Sequence, residues 1–168
     1  MNKKEWSGEN YHHYSQVQYL LATNLLKHCS FKGNEKILDV GFGDGKITRL
    51  IASHIPDGNI LGVDHSVSMI DFARRTYPSE NYKNIQFEMK DVLELPYREE
   101  FDIVFSFCCL HWVKDQLTAL QIIYRSLKPK GLFFCYCPLC AELRSVNRSY
   151  NANGVMEKLF RRIYPSYA

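Results

Sequence analysis

Apolar residues in this chain recur first at helical spacing and then in short runs separated by further helical stretches. Val17, Leu20, Leu21, Leu25 and His28 recur at intervals of three and four after Ser15, predicting an amphipathic helix of about 14 residues ahead of any strand. Lys36 to Gly41 is a short β-type run closed by glycine, and Ile47, Leu50, Ile51 and Ile55 carry a helix up to the break at Pro56, Asp57 and Gly58. The alternation repeats with Asn59 to Asp64 as a strand. A helix follows from Ser66, a good N-cap residue type, through Met69, Ile70 and Ala73 to Pro78. Ile85 to Met89 reads as a third strand. Phe101 to Ser106 is almost continuously apolar, which suits a central strand covered on both faces. Asp115 caps a helix that uses Leu117, Leu120, Tyr124 and Leu127; Pro129 and Gly131 end it, and Leu132 to Cys137 is the fifth strand.

Strands separated by helices argue for an α/β fold: a Rossmann-like, doubly wound, mostly parallel sheet of about five strands with right-handed crossovers. The chain reads as a single domain spanning residues 1–168, with an N-terminal helical segment over about residues 1–30, an α/β core over about 35–137 and a helical tail over about 141–168. Within that tail Ala141 to Tyr150 is polar, and Val155, Met156, Leu159, Phe160 and Ile163 form an apolar stripe that predicts a docked final helix.

Composition narrows the class. With 46% apolar and 23% charged residues the chain is neither disordered nor fibrous. A net charge of +3, from 21 basic and 18 acidic residues, is too small and dispersed for a nucleic-acid groove, so no nucleic-acid partner is expected. No apolar run reaches the roughly 18 residues needed to cross a bilayer, and the first residues lack the apolar stretch of a secretory signal. The expectation is therefore a cytoplasmic protein with no membrane association. Six cysteines read as reduced core or strand residues. Only Cys135, Cys137 and Cys140 cluster enough to test as a metal site, and no second pair follows at zinc-finger spacing, so no metal is expected.

The candidate chemistry sits where strands end. Asp39, Gly41, Phe42, Gly43 and Gly45 lie where the first strand turns into a helix, the point at which open α/β sheets receive ligands and glycines let a backbone approach them. A tight turn and nothing more is the alternative. A dinucleotide fingerprint needs Gly-x-Gly-x-x-Gly, whereas the spacing here is Gly-x-Gly-x-Gly with Lys46 following. S-adenosylmethionine has no pyrophosphate and needs less of a phosphate cradle. Asp64, ending the second strand, can accept from both ribose hydroxyls, or is simply an acid flanking a helix. Asp91 with Val92, just past the third strand, can bind an adenine edge, or is an ordinary turn residue. Three stations at the ends of three successive strands carry the argument jointly.

With those residues in view, the sequence resembles the class I, seven-stranded S-adenosylmethionine-dependent methyltransferases. The likeness is to the small-molecule branch around juvenile hormone acid and trans-aconitate methyltransferases, and covers about residues 11–137. Its most specific stretches are Phe105 to Gln116, containing His111 and Trp112, and Leu127 to Gly131; Tyr11, Ser15 and Gln18 also match, on a helix that covers the cofactor in that branch. The resemblance implies S-adenosyl-L-methionine as cofactor and S-adenosyl-L-homocysteine as product. Gly41 with Asp39, Phe42, Gly43 and Gly45 would hold the methionine moiety, Asp64 flanked by His65 and Met69 the ribose, and Asp91 with Val92 the adenine. Ser106 and Phe107 would lie near the sulfonium, and Gln18, His111 and Trp112 would face the acceptor. Phe42 stands where the family often has a small residue, and Lys130 where a second glycine is common. Related full-length enzymes continue through two more strands, and the expectation is that this chain lacks them.

The expected reaction is methyl transfer to a small-molecule acceptor, a carboxylic acid in the first instance. A carboxylate is deprotonated at neutral pH and needs no general base; His111 and the Trp112 indole N–H are candidate donors to it. Both also read as a loop residue and a core filler. An alcohol, amine or carbon acceptor would call on His111 as base. His12 and His13 read as a solvated pair. The Asn- or Asp-Pro-Pro-aromatic motif of amino-methylating nucleic-acid enzymes is absent, and Cys108-Cys109 lacks the proline of carbon-methylating pyrimidine enzymes. The alternative from another class is a truncated, cofactor-binding but inactive module completed by a partner. In either case the fifth strand is left as a sheet edge for the Val155 to Ile163 helix, a second copy of the chain or another subunit to cover.

Overall fold

Residues 11, 12, 15–27, 29–137 and 142–147 are described by a computed structural model. Its parallel strands fall close to where the apolar runs predict them: β1 (Lys36–Val40), β2 (Asn59–Asp64), β3 (Ile85–Met89), β4 (Phe101–Phe107) and β5 (Leu127–Cys137). Helix α1 (Gln16–Leu26) precedes β1, while α2 (Lys46–Ala52), α3 (Val67–Thr76) and α4 (Gln116–Ser126) follow β1, β2 and β4. A further strand, β6 (Glu142–Asn147), completes a sheet of order β3-β2-β1-β4-β5-β6. This is the Rossmann-like α/β fold read from the sequence. The chain moves outward from β1 to β3 and then crosses to β4 on the other side of β1, so the switch point lies between β1 and β4.

Alternation along each strand divides the interior into two cores. Ile37, Ile60, Phe87, Ile103 and Phe105 face a layer that includes Ala22 and Leu26 of α1, Ile51 of α2 and Ile70 of α3. Leu38, Val40, Val63, Val104 and Phe133 face the opposite layer, which includes Ala119, Leu120 and Ile123 of α4 with Val92 and Leu95. Burial on both faces is why these strands lack a simple polar–apolar alternation.

Three expectations are corrected. The helical tail expected from about residue 141 is replaced over Glu142–Asn147 by β6, antiparallel to β5, with Leu132 opposite Asn147 and Cys137 opposite Glu142. An unpaired strand edge exposes a row of backbone donors and acceptors, and β6 satisfies them for β5. Among the described residues the sheet edge on this side belongs to β6, and the expected stripe from Val155 to Ile163 lies outside them. The first helix is shorter than expected and differently oriented: Val17 and Leu20 are 66% and 62% exposed, and the buried residues are Ala22 and Leu26. The expected His28 position lies outside the described residues. Finally, Leu127 belongs to β5 rather than the preceding helix, pairing with Phe101 before a bulge brings Leu132 opposite Ile103. Pro129 disfavours helical backbone at the residue before it, which ends α4 early.

Candidate functional site

At the tip of β1 the chain turns through Gly41, Gly43 and Gly45, all with positive φ (75°, 61° and 79°). Gly41 is additionally fixed by space: a Cβ there would lie 2.1 Å from Cys109 Sγ and 2.3 Å from Cys109 Cβ. Cys109, two residues after β4, is thus wedged against the turn after β1, at the switch point. Ser106 joins the same two strands, its hydroxyl donating to the Val40 carbonyl at 3.0 Å. Gly43 faces outward, toward the ring of Tyr11; its missing Cβ would be 3.0 Å from Tyr11 Cε1. Gly45 opens α2 and faces inward, toward Phe87, Ala73 and Tyr77.

The three glycine amides of this turn, and that of Lys46, are already used. Gly41 N–H donates to the Val63 carbonyl (2.8 Å), Gly45 N–H to Phe42 (3.2 Å), Gly43 N–H to Asp64 Oδ2 (3.1 Å) and Lys46 N–H to Asp44 Oδ1 (3.1 Å). A pyrophosphate cradle requires such amides to point at the ligand. This turn instead provides a close, largely neutral surface.

Asp64, at the end of β2, has its side chain only 10% exposed and accepts from two backbone amides, Gly43 through Oδ2 and Ser66 through Oδ1 (3.0 Å). Burial raises its pKa above the usual carboxylate range, while the amide hydrogen bonds and neighbouring His65 pull in the opposite direction. His65 is largely exposed, with Nδ1 3.6 Å from Asp64 Oδ1. Ser66 stands at the N-cap of α3 as expected, but its side chain does not cap the helix. Met69, one turn into α3, is buried.

Asp39 lies beneath the turn. It is 2% exposed and accepts from Thr48 Oγ1 of α2 at 2.6 Å. Burial pushes its pKa up to about 7, with the Thr48 hydrogen bond opposing and the charge of Asp64 adding. Cys109 responds in the same way: burial foremost, then the charges of Asp64 and Asp39, raises its thiol to about 12. It is a neutral wedge at physiological pH, since a thiolate is needed for nucleophilic attack.

The stations after β3 and β4 are also placed. Asp91 is exposed and caps a short 3₁₀ turn (Val92–Glu94), accepting from Leu93 N–H at 2.9 Å, while Val92 is buried in the core. Phe107 is buried and stacks on Phe105 with ring centroids 5.6 Å apart. Phe42 is buried against Phe87, centroids 4.6 Å apart, so the residue that departs from the family pattern is accommodated as core packing. His111 and Trp112 lie on the 3₁₀ turn Leu110–Trp112 beyond β4, ring centroids 5.0 Å apart. Trp112 is 67% exposed, contrary to the core-filler reading, and His111 is half-buried. Burial lowers the His111 pKa, and its Nδ1 is buried without a hydrogen-bond partner.

Above the glycine turn lies a cover drawn from Tyr11, Ser15 and Gln18, spaced so that all three share one helical face. They line a narrow cleft with Asp39, Gly41, Phe42, Asp44, Lys46 and Phe107. The space left is about 10 Å³, the room of a single water. Gln18 Oε1 is buried among these residues with no hydrogen-bond partner, an acceptor awaiting a donor. Tyr11 is pressed onto the turn, and burial raises its phenol pKa, reinforced by nearby Cys108, Asp44 and Asp64.

Sequence reasoning passed over Asp44, Lys46 and Thr48. Asp44 is 3% exposed and is gripped from four directions: His12 Nδ1 lies 2.9 Å from Oδ2, Ser15 Oγ donates to Oδ2 at 2.7 Å, Lys46 N–H donates to Oδ1, and Lys46 Nζ lies 3.7 Å from Oδ2. His12 is therefore engaged with the turn rather than solvated, and His13 lies outside the described residues. The available signal was an Asp and a Lys on either side of Gly45 where a bare turn needs neither. Cys140 and the Cys137 side chain, two parts of the three-cysteine cluster, also lie outside the described residues. Among the described residues no His, Cys, Asp and Glu group is arranged to hold a metal, and no helix is long and apolar enough to cross a membrane.

Residues 31–165 match a methyltransferase domain family. The chain belongs to that family. A protein of Invertebrate iridescent virus 6 assigned as a methyltransferase is 31% identical over 91% of this chain and 54% of its own length. Juvenile hormone acid O-methyltransferase of Bombyx mori is 27% identical over 80% of this chain and 50% of its own length. This chain spans about half the length of the curated relatives it matches. Among solved structures, a Methanococcus maripaludis protein assigned to the S-adenosyl-L-methionine-dependent methyltransferases superposes with a TM-score of 0.70 at 21% identity, over 99% of this chain and 76% of that one. At that identity the likeness shows the fold, and the fold agrees.

Proposed function

We propose that this domain transfers a methyl group from S-adenosylmethionine to a small, partly apolar carboxylic acid, acting on its oxygen. The observation that carries the cofactor assignment is the Asp64 carboxylate, held at the tip of β2 by the Gly43 and Ser66 amides beside a turn whose three glycine amides are satisfied. That arrangement suits a ribose beside an amino acid moiety and does not suit a pyrophosphate. The orphaned Gln18 Oε1 adds an acceptor for an ammonium group above the turn.

The residues present therefore fit the cofactor. Asp64 would hold its ribose, the bare backbone at Gly41 and Gly43 would lie along its amino acid portion, and Gln18 would take its amine. When bound, the cofactor supplies a methyl group on a sulfonium that is already an activated leaving group, so alignment and exclusion of water are what the protein must contribute. Tyr11, Ser15 and Gln18 close over the cleft and leave room for about one water.

An acid acceptor is supported by the residues beyond β4. A carboxylate arrives deprotonated and needs orientation rather than a base. His111, whose neutral form burial favours, and the indole N–H of exposed Trp112 are the donors, and the Trp112 ring supplies apolar surface. The relative named for juvenile hormone acid points to the same acceptor class. Incubation with labelled cofactor and a panel of apolar acids, alcohols, amines and RNA tests the reading. Ester formation on acids is expected, and turnover confined to another class contradicts it.

A further inference from the structure

The Asp44 carboxylate has one oxygen on each of two pieces of the site. Oδ1 accepts from Lys46 N–H and belongs to the glycine turn at the start of α2. Oδ2 faces the cover, accepting from Ser15 Oγ at 2.7 Å with His12 Nδ1 at 2.9 Å. Lys46 completes the bridge from the turn, its Nζ donating to the His12 carbonyl and to Ser15 Oγ, both at 3.1 Å. Ser15 has a single proton, directed to Asp44, so its oxygen is free to accept from Lys46. These groups are buried or nearly so: Ser15 is 4% exposed and the Lys46 side chain 17%. Hydrogen bonds to charged groups in such surroundings are stronger than neutral ones at a surface.

The bridge fixes more than Ser15. Ser15 N–H donates to the Tyr11 carbonyl at 2.8 Å, so holding Ser15 holds Tyr11, whose ring lies on Gly43. Gln18 follows one turn later on the same face. The cleft beneath has room for one water. Gly41 lies in that cleft beneath the cover, and the Asp44 carboxylate bonds to both the cover and the turn.

We propose that Asp44 is a positioning residue for the cofactor site: acting through Ser15 and Tyr11, it clasps the cover to the glycine turn and sets the rate at which the cofactor enters and leaves. The inference rests on the cofactor assignment above. Stopped-flow displacement of S-adenosylhomocysteine is measured for the wild type, Asp44→Asn and Ser15→Ala, each first confirmed folded by circular dichroism. Ser15→Ala leaves the Oδ1 half of the bridge and the start of α2 intact, so it reports on the clasp alone.

Both variants are expected to release ligand about tenfold faster, the factor that corresponds to losing 1.4 kcal/mol. The double variant should add little beyond Asp44→Asn, because both changes break one connection. Hydrogen exchange of the amides at 15–22 in the ligand-free protein should quicken in step. A residue that merely supports the fold would alter the melting temperature without altering ligand release from folded protein. Wild-type release rates in both variants overturn the clasp and leave the cofactor assignment standing. A wild-type protein that binds no cofactor overturns both.

Discussion

The Asp64 carboxylate accepts a hydrogen bond from the backbone N–H of Gly43 at 3.1 Å, tying the end of β2 to the turn that follows β1. One acid thereby stiffens the glycine turn and remains beside the cleft. Its two oxygens each hold one amide and retain lone pairs for further donors. Replacing Asp64 with Ala is expected to weaken cofactor binding by about 1–3 kcal/mol, the size of a lost charged hydrogen bond in a buried setting. Isothermal titration of the two proteins checks this, and equal affinities would remove Asp64 from the site.

Asp39 predicts a pH dependence of stability. Its pKa is about 7 in the folded state, raised by burial from 3.8. Between those values the native state binds more protons than the unfolded one, so this group's contribution to stability falls as pH rises from about 4 to about 7. Asp39→Asn keeps an acceptor for Thr48 and removes the buried charge. At pH 8 the ligand-free variant is expected to be more stable than the wild type by up to about 4 kcal/mol, with the difference vanishing below about pH 4. Denaturant melts at pH 4, 6 and 8 read this directly; a constant difference across that range would contradict it.

Gly41 predicts an unusual failure of rescue. A Cβ at this position meets both Sγ and Cβ of Cys109, at 2.1 and 2.3 Å. Gly41→Ala should destabilise the fold by about 1–3 kcal/mol through overpacking and a positive φ. Adding Cys109→Ala removes the sulfur but leaves the Cβ contact, so it should restore little. Urea unfolding of the single and double variants settles the point; full recovery would show that the sulfur alone sets the limit.

Trp112 separates acceptor recognition from folding. With 67% of its surface exposed, Trp112→Ala should change stability by no more than about 0.5 kcal/mol. If the ring faces the acceptor, the KM for an acid acceptor rises while cofactor affinity is kept, the pattern of lost uniform binding. Steady-state kinetics with both substrates varied distinguishes this from a general loss of activity.

Much of this was legible because it is local. Apolar runs gave the strands from Lys36 to Cys137, and the glycine turn, Asp64 and Asp91 each stand next to a strand end that the same runs define. What was not legible depends on partners distant in sequence. Asp44 looks like an ordinary polar turn residue until Ser15, 29 positions earlier, is placed against it. The first helix carries apolar residues on more than one side, so the pattern alone could not choose between a face through Val17 and Leu20 and the buried one through Ala22 and Leu26. Strand β6 lacks the period-two alternation of a half-buried strand; it forms where β5 presents an open edge.

The central claim is that S-adenosylmethionine binds across the tips of β1 and β2. The most direct measurement is the melting temperature of the purified protein with increasing S-adenosylmethionine, because a ligand that binds only the folded state raises stability by mass action. The account predicts a concentration-dependent rise reflecting micromolar affinity, diminished in Asp64→Ala. A melting temperature unmoved by millimolar cofactor, or an equal rise in both proteins, would contradict it.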